Sequence, residues 1–271
     1  MTSLIEELPL YGAMLLLAVV QGLTEFLPVS SSGHLALGQL ILGMGEGSLT
    51  AVVVLHAGTL VAVLVFYRKV IANLVRGVFG ASAEDVDGIS PRLYVGLIIF
   101  GNLPAILIGF TLKDRIEALF TSPWAVFLAM GATAIVLWST RGRIVGTTGP
   151  DLRRALLIGC AQAIAILPGA SRSGWTISVA LWLGLKPEAA ARFSFLLSIP
   201  VIFGALLLEL ADQEGADAAV GPLLLGFVAA AFVGLFALRW LVALVRQMEL
   251  YRFAWYLCIL TLVGVGFLLT R

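Results

Sequence analysis

The sequence predicts an all-α polytopic membrane protein, with six transmembrane helices plus two re-entrant helix pairs in an inverted-topology repeat. Three observations carry that prediction. First, 60% of the 271 residues are apolar and only 12% are charged, about half the charged fraction of a soluble domain, and mean hydropathy is +1.04. Second, several apolar stretches approach or reach the ~20 residues that cross a bilayer. Third, two breaks rich in Pro, Gly and Ser interrupt shorter apolar stretches. A soluble enzyme, a coiled coil and a disordered chain are excluded. Seventeen Lys and Arg against sixteen Asp and Glu give a net charge of +1, which offers no footprint for nucleic acid.

The elements follow in order. Glu6 and Glu7 precede the first apolar stretch where a cleaved signal would carry bases, so that stretch belongs to the mature fold. Stretches 8–27 and 33–44 form a first re-entrant pair around the break Leu27-Pro28-Val29-Ser30-Ser31-Ser32-Gly33-His34. Full spans are expected at about 49–67, 93–111 and 123–139. Stretches 155–167 and 174–184 form a second pair around Leu167-Pro168-Gly169-Ala170-Ser171-Arg172-Ser173-Gly174. Full spans follow at 193–210, 222–245 and 253–270. Sliding the chain by 141 residues places Gln21 on Gln162, Ser30 on Ser171, Ser32 on Ser173 and Gly33 on Gly174. Residues 1–271 therefore read as one membrane domain duplicated over about 8–140 and 155–270. Cys160 and Cys258 lack ligand spacing and read as small buried hydrophobes.

Basic residues set the orientation, because Lys and Arg collect on the cytoplasmic side. With each broken pair re-entrant, one face holds Arg68, Lys69, Arg76, Arg92, Arg141, Arg143, Arg153, Arg154, Lys186, Arg192, Arg246 and Arg252. The other holds only Lys113, Arg115 and Arg271, and its 209–221 loop is acidic. Both termini are then non-cytoplasmic, the two pairs enter from opposite sides, and the repeats are inverted. Such folds bind near the midplane where the breaks meet, and non-helical backbone survives there only when buried or lining a wet cavity. A polar pocket is expected between residues 21–34 and 168–178.

The chemistry-bearing residues cluster in those windows. Glu25 follows Gln21 by four positions and shares its helix face. A carboxylate in an apolar segment costs about 2.5–3.5 kcal/mol on insertion scales, so Glu25 either pairs with an arginine or performs a task. Arg172 keeps its charge at any physiological pH. Among Gly169, Ser171, Ser173 and Gly174 it reads as an anion site whose planar fork suits phosphate oxygens. Half-helices starting near Gly33 and Gly174 would aim N–H donors at the same place. His34, beyond Ser30, Ser31, Ser32 and Gly33, suits proton transfer or attack on phosphorus; His56 has a weaker claim. Ser30 or Ser31 could serve as nucleophile or as phosphate donor. Ser32, Ser173 and Thr176 could bind substrate or cap helices. A cation, a carboxylate, an imidazole and hydroxyls at membrane depth make an inventory for breaking a phosphoryl bond, and access from the bilayer implies a lipid-linked phosphate.

The run Gln21-Gly22-Leu23-Thr24-Glu25-Phe26-Leu27-Pro28-Val29-Ser30-Ser31-Ser32-Gly33-His34 and the run Pro168-Gly169-Ala170-Ser171-Arg172-Ser173-Gly174-Trp175-Thr176-Ile177-Ser178 resemble the two signature motifs of the undecaprenyl-diphosphate phosphatase family, integral-membrane enzymes linked to bacitracin resistance. Arg192-Phe193-Ser194-Phe195-Leu196-Leu197-Ser198-Ile199-Pro200 resembles a third segment, and the likeness runs over essentially the whole chain. The resemblance implies hydrolysis of a C55 polyprenyl diphosphate to the monophosphate carrier of peptidoglycan synthesis, in the bacterial inner membrane. It implies a divalent cation, Mg²⁺ or Ca²⁺, and leaves room for a homodimer. The family's important residues carry over onto Glu25, Ser30, Ser31, His34, Arg172, Ser173 and Thr176; with the residue reading above, catalysis is expected of Glu25, His34, Ser31 and Arg172, and substrate binding of Gln21, Ser30, Ser32, Gly33, Ser171, Ser173, Gly174 and Thr176. The family often has two glutamates four apart where this chain has Gln21 and Glu25. Glu25 and the diphosphate oxygens are then the expected metal ligands. A polyprenyl phosphate flippase and a broader lipid phosphatase are the rival readings.

Overall fold

The longest apolar runs become the longest helices. The computed structural model describes residues 3–41, 49–212 and 220–270, and among them every extended element is helical. In order these are α1 (Ser3–Thr24), α2 (Ser31–Ile41), α3 (Leu49–Phe66), α4 (Arg68–Val78), α5 (Pro91–Thr111), α6 (Lys113–Phe120), α7 (Pro123–Trp138), α8 (Leu152–Ile164), α9 (Arg172–Trp182), α10 (Pro187–Asp212), α11 (Val220–Arg246) and α12 (Arg252–Leu269). The protein is thus all-helical and multi-pass. Helices α5, α10, α11 and α12 are each long and apolar enough to cross a membrane, and up to six spans result when α3 with α4 and α6 with α7 count as bent pairs. The end of the 33–44 stretch and most of the acidic 209–221 loop lie outside the described residues.

Two helices were not expected. In α4, Arg68, Lys69, Asn73 and Arg76 interrupt the apolar run, yet Val70, Ile71, Leu74 and Val78 recur at helical spacing and Leu74 is buried. An amphipathic helix of this kind favours an interface over a span, and α4 turns 74° away from α3. The short α6 buries Ile116 and meets α7 at 97°.

Helix α11 packs along both α1 and α3, α5 packs along α8, α7 along α12, and α3 along α10. The 141-residue offset matches α1 with α8, α3 with α10 and most of α5 with α11, and order along the chain pairs α7 with α12. Exchanging the halves then converts the α1–α11 contact into α8–α5 and leaves α3–α10 and α7–α12 as they are. Close approach depends on small residues, as is usual between apolar helices in lipid. A Cβ on Gly159 of α8 would lie 1.9 Å from the Gly101 carbonyl oxygen of α5. Gly159→Leu must therefore part these helices. The expected penalty of about 3 kcal/mol would lower the melting temperature of the purified protein by roughly 6–12 °C; an unchanged melting temperature would show that the contact yields.

The cysteines correct their expectation, since Cys160 and Cys258 are both exposed on the protein surface. A small apolar side chain is solvated by bilayer hydrocarbon as well as by a core, so apolar sequence context does not imply burial here.

Candidate active site

Each break is built by its own backbone. Past the end of α1, Glu25 and Leu27 still donate to the carbonyls of Gln21 and Leu23, and Pro28, with no N–H, ends the helix. Ser30 then adopts φ +73°, a left-handed conformation that costs a serine about 1–2 kcal/mol. Its Oγ accepts from Gly33 N at 3.4 Å and caps α2. In the second break Gly169 has φ +89° and a Cβ there would lie 2.1 Å from the Val126 carbonyl oxygen, so only glycine fits. Ser171 Oγ accepts from Gly174 N at 3.2 Å and caps α9. The hydroxyls pair alike in both, Ser30 with Ser32 and Ser171 with Ser173, each at 3.3 Å. The amide of Gly169 donates to Ser32 Oγ at 3.4 Å and joins the two breaks.

Glu25 and Arg172 meet where the breaks meet. Arg172 Nη2 donates to Glu25 Oε1 at 2.6 Å. Glu25 Oε2 accepts from Ser31 Oγ at 2.8 Å and from Gln21 Nε2 at 3.1 Å. Gln21 also reaches Thr59 Oγ1 at 3.4 Å. Thr59 in turn donates to the His56 carbonyl at 2.9 Å. His56 Nε2 stands 3.7 Å from Glu25 Oε2, while its Nδ1 faces the Val52 carbonyl at 2.9 Å and must carry the hydrogen, because a carbonyl only accepts. The side chains of Glu25 and Arg172 are 6% and 14% exposed. Arg172 Nη1 is buried without a hydrogen-bond partner, so the guanidinium retains a donor that an incoming anion can satisfy. These groups open into a cavity of about 270 Å³, lined on its polar side by Glu25, Ser30, Ser31, Ser32, His56, Gln162, Ser171 and Arg172. Its apolar wall includes Phe120, Ile166, Ile202 and Leu206. Phe26, next to Glu25, anchors the first break by packing edge-on against Phe195 of α10 at 5.7 Å.

The expected site residues therefore divide. Glu25, Ser30, Ser31, Ser32, Ser171 and Arg172 line the cavity. Gln21 stands behind Glu25 and orients it. Gly33, Ser173 and Gly174 belong to the caps, and Thr176 spends its hydroxyl on the Arg172 carbonyl and on Ser194 Oγ rather than facing the cavity. The main correction concerns histidine. His34 does not join Glu25; its ring lies between the Ser30 carbonyl and the Tyr256 hydroxyl. The left-handed turn at Ser30 swings it toward α12, and the imidazole beside the acid is His56. Sequence reasoning also missed Phe120, Thr59 and Thr133, whose Oγ1 accepts from both Ser171 N and Trp175 Nε1 at 3.2 Å. The available signal was the pair His56 and Thr59, polar residues three apart on one face of the apolar helix α3.

The donor set is oxygen-rich and suits a hard cation. Glu25 contributes the carboxylate, and the buried amide oxygens of Gln21 and Gln162 have no hydrogen-bond partner. Among the described residues no group of three His, Cys, Asp or Glu could hold a metal, so a hard cation there would need further oxygen ligands such as water or phosphate.

Comparison with known proteins shows the family to which the chain is similar. The family model described as bacitracin resistance protein BacA matches residues 14–263. A protein of Desulfatibacillum aliphaticivorans named undecaprenyl-diphosphatase is 45% identical, covering 90% of this chain and 93% of that protein. One of the same name from Korarchaeum cryptofilum is 41% identical over 94% of this chain and 97% of its own length. Another, from Geobacter sulfurreducens, is 41% identical over 89% and 91%.

Proposed function

Because the chain belongs to the bacitracin resistance protein BacA family, we propose that it is an undecaprenyl-diphosphatase and that the Glu25–Arg172 pocket is where the phosphoanhydride breaks. The enzyme is a membrane hydrolase that converts undecaprenyl diphosphate to undecaprenyl phosphate and inorganic phosphate, recycling the lipid carrier of cell-wall synthesis. The observation that carries the site is the unpartnered Nη1 of Arg172, a buried cationic donor beside a carboxylate and four serines.

In the structure Arg172 is held by Glu25. A diphosphate offers stronger, bidentate acceptors; as it takes the guanidinium, Glu25 is released to act as a base. Ser31 Oγ already donates to Glu25 Oε2, so its proton passes to Glu25 as Oγ attacks the distal phosphorus. The bond from that phosphorus to the bridging oxygen breaks, and undecaprenyl phosphate leaves. The leaving undecaprenyl phosphate takes that proton from Glu25; the freed carboxylate then takes a proton from water as its oxygen attacks the phosphoserine, and returns it to Ser31 Oγ as inorganic phosphate departs. Arg172 and the Ser171 side of the second break face the charge that develops on the phosphoryl oxygens. His56 Nε2, whose ring hydrogen sits on Nδ1, is the acceptor that faces Glu25 once the carboxyl is protonated. A divalent cation held by Glu25, the orphan amide oxygens and the diphosphate would supply further charge neutralisation.

The apolar wall of Phe120, Ile166, Ile202 and Leu206 suits the prenyl chain. The charge bias supports non-cytoplasmic termini, with the pocket entered from that side. The test is phosphate release by purified protein with Mg²⁺, from undecaprenyl diphosphate beside a diacylglycerol diphosphate and inorganic pyrophosphate. Turnover of the prenyl substrate at least about 100-fold above the others, and loss of turnover with EDTA restored by Mg²⁺ or Ca²⁺, is the expected result. Comparable rates on all lipid diphosphates would favour a broad lipid phosphatase, and lipid movement without phosphate release a flippase.

A further inference from the structure

We infer that Tyr256 and His34 form a positioning pair that fixes the first break for the reaction, and that His34 acts through the backbone of Ser30 rather than on the substrate. The inference rests on the diphosphatase reading above. His34 Nδ1 lies 2.7 Å from the Ser30 carbonyl oxygen. That oxygen only accepts, so Nδ1 carries the hydrogen. In the neutral ring Nε2 then accepts, and the Tyr256 hydroxyl, 2.6 Å away, donates. The two rings stack at 5.7 Å and 19°, which holds both hydrogen bonds in line. The relay from α12 thus ends on Ser30, the one cavity-lining residue held in a left-handed conformation. Ser30 in turn sets the direction of Ser31, which meets Glu25.

The second half has a matching restraint. Trp175 is the counterpart of His34 under the 141-residue offset, and α7 is the counterpart of α12. Trp175 Nε1 and Ser171 N both donate to Thr133 Oγ1 on α7. Each break serine is therefore tied to the last span of the opposite half, Ser30 by its carbonyl by way of His34, and Ser171 directly by its amide, with Trp175 four positions later donating to the same Thr133 hydroxyl. A histidine that transferred protons to substrate would need an open ring nitrogen facing the cavity, and both nitrogens of His34 are engaged elsewhere.

The experiment measures phosphate release from undecaprenyl diphosphate by the purified full chain and its variants. Tyr256→Phe keeps the ring and removes the donor; kcat should fall roughly threefold to tenfold with KM unchanged. His34→Asn, whose amide can still donate to the Ser30 carbonyl, should stay within about tenfold of wild type, whereas His34→Ala should lose about 30-fold or more. In the His34→Ala background, Tyr256→Phe should cause no further loss, since it acts through His34. Wild-type kcat in Tyr256→Phe, or His34→Asn as impaired as His34→Ala, would overturn the inference while leaving the diphosphatase reading intact. A wild-type protein that releases no phosphate would overturn both.

Discussion

Arg172→Ala is expected to lower phosphate release from undecaprenyl diphosphate by about 10³-fold or more. The scale follows from removing a desolvated cation that faces developing phosphoryl charge. Arg172 is positioned for that role by its own break: Ser171 caps α9, Thr133 holds the Ser171 amide, and the guanidinium extends across to the other half. Arg172→Lys separates charge from geometry. It keeps the positive charge but loses the planar fork, and should recover only part of the rate, leaving a deficit of roughly 10–100-fold. Steady-state kinetics on the detergent-purified variants checks both. Removing one partner also leaves Glu25 as a buried unpaired charge, a change worth about 3–5 kcal/mol, so melting temperatures need to be measured beside the rates.

The second large effect is expected for Glu25→Gln, where kcat should drop about 10²–10⁴-fold through loss of the base. KM should fall or stay constant. Glu25 and the substrate compete for the same guanidinium, and a neutral glutamine competes less. A kcat that falls without a rise in KM distinguishes a base from a residue that only holds substrate, whose loss would raise KM with little change in kcat. Ser31, 2.8 Å from the same carboxylate, loses its proton acceptor in this variant while Arg172 remains available.

Much of this was legible in the sequence for physical reasons that can be named. A run such as Pro91–Thr111 has no stable home but lipid or a protein interior, so the spans declare themselves. Pro28 and Gly169 force backbone out of a helix, so the breaks do too. A carboxylate and a guanidinium each buried in apolar sequence need a partner, and Glu25 and Arg172 found one another. Helix α4 was hidden because its charges break a hydropathy window while leaving one apolar face. The histidines were misread because nearness along the chain was taken for nearness in space. His34 follows Glu25 by nine residues, but the left-handed Ser30 between them turns its ring to Tyr256. His56 lies far along the chain, yet α3 presents it and Thr59 on the face that packs beside Glu25 and Gln21. Local turn geometry and helix packing set those directions, and neither is written in a motif. The outward Cys160 and Cys258 teach the same lesson for a protein with apolar surroundings on both sides of its surface.

The most direct measurement is a double-mutant cycle on turnover, with wild type, Arg172→Ala, Glu25→Gln and the double variant assayed side by side on undecaprenyl diphosphate. If the guanidinium and the carboxylate serve one bond-breaking event, the double variant should be no slower than the worse single variant, because each loss already disables the unit. Losses that multiply, or a single variant that retains the wild-type rate, would place the chemistry somewhere other than the meeting point of the two breaks.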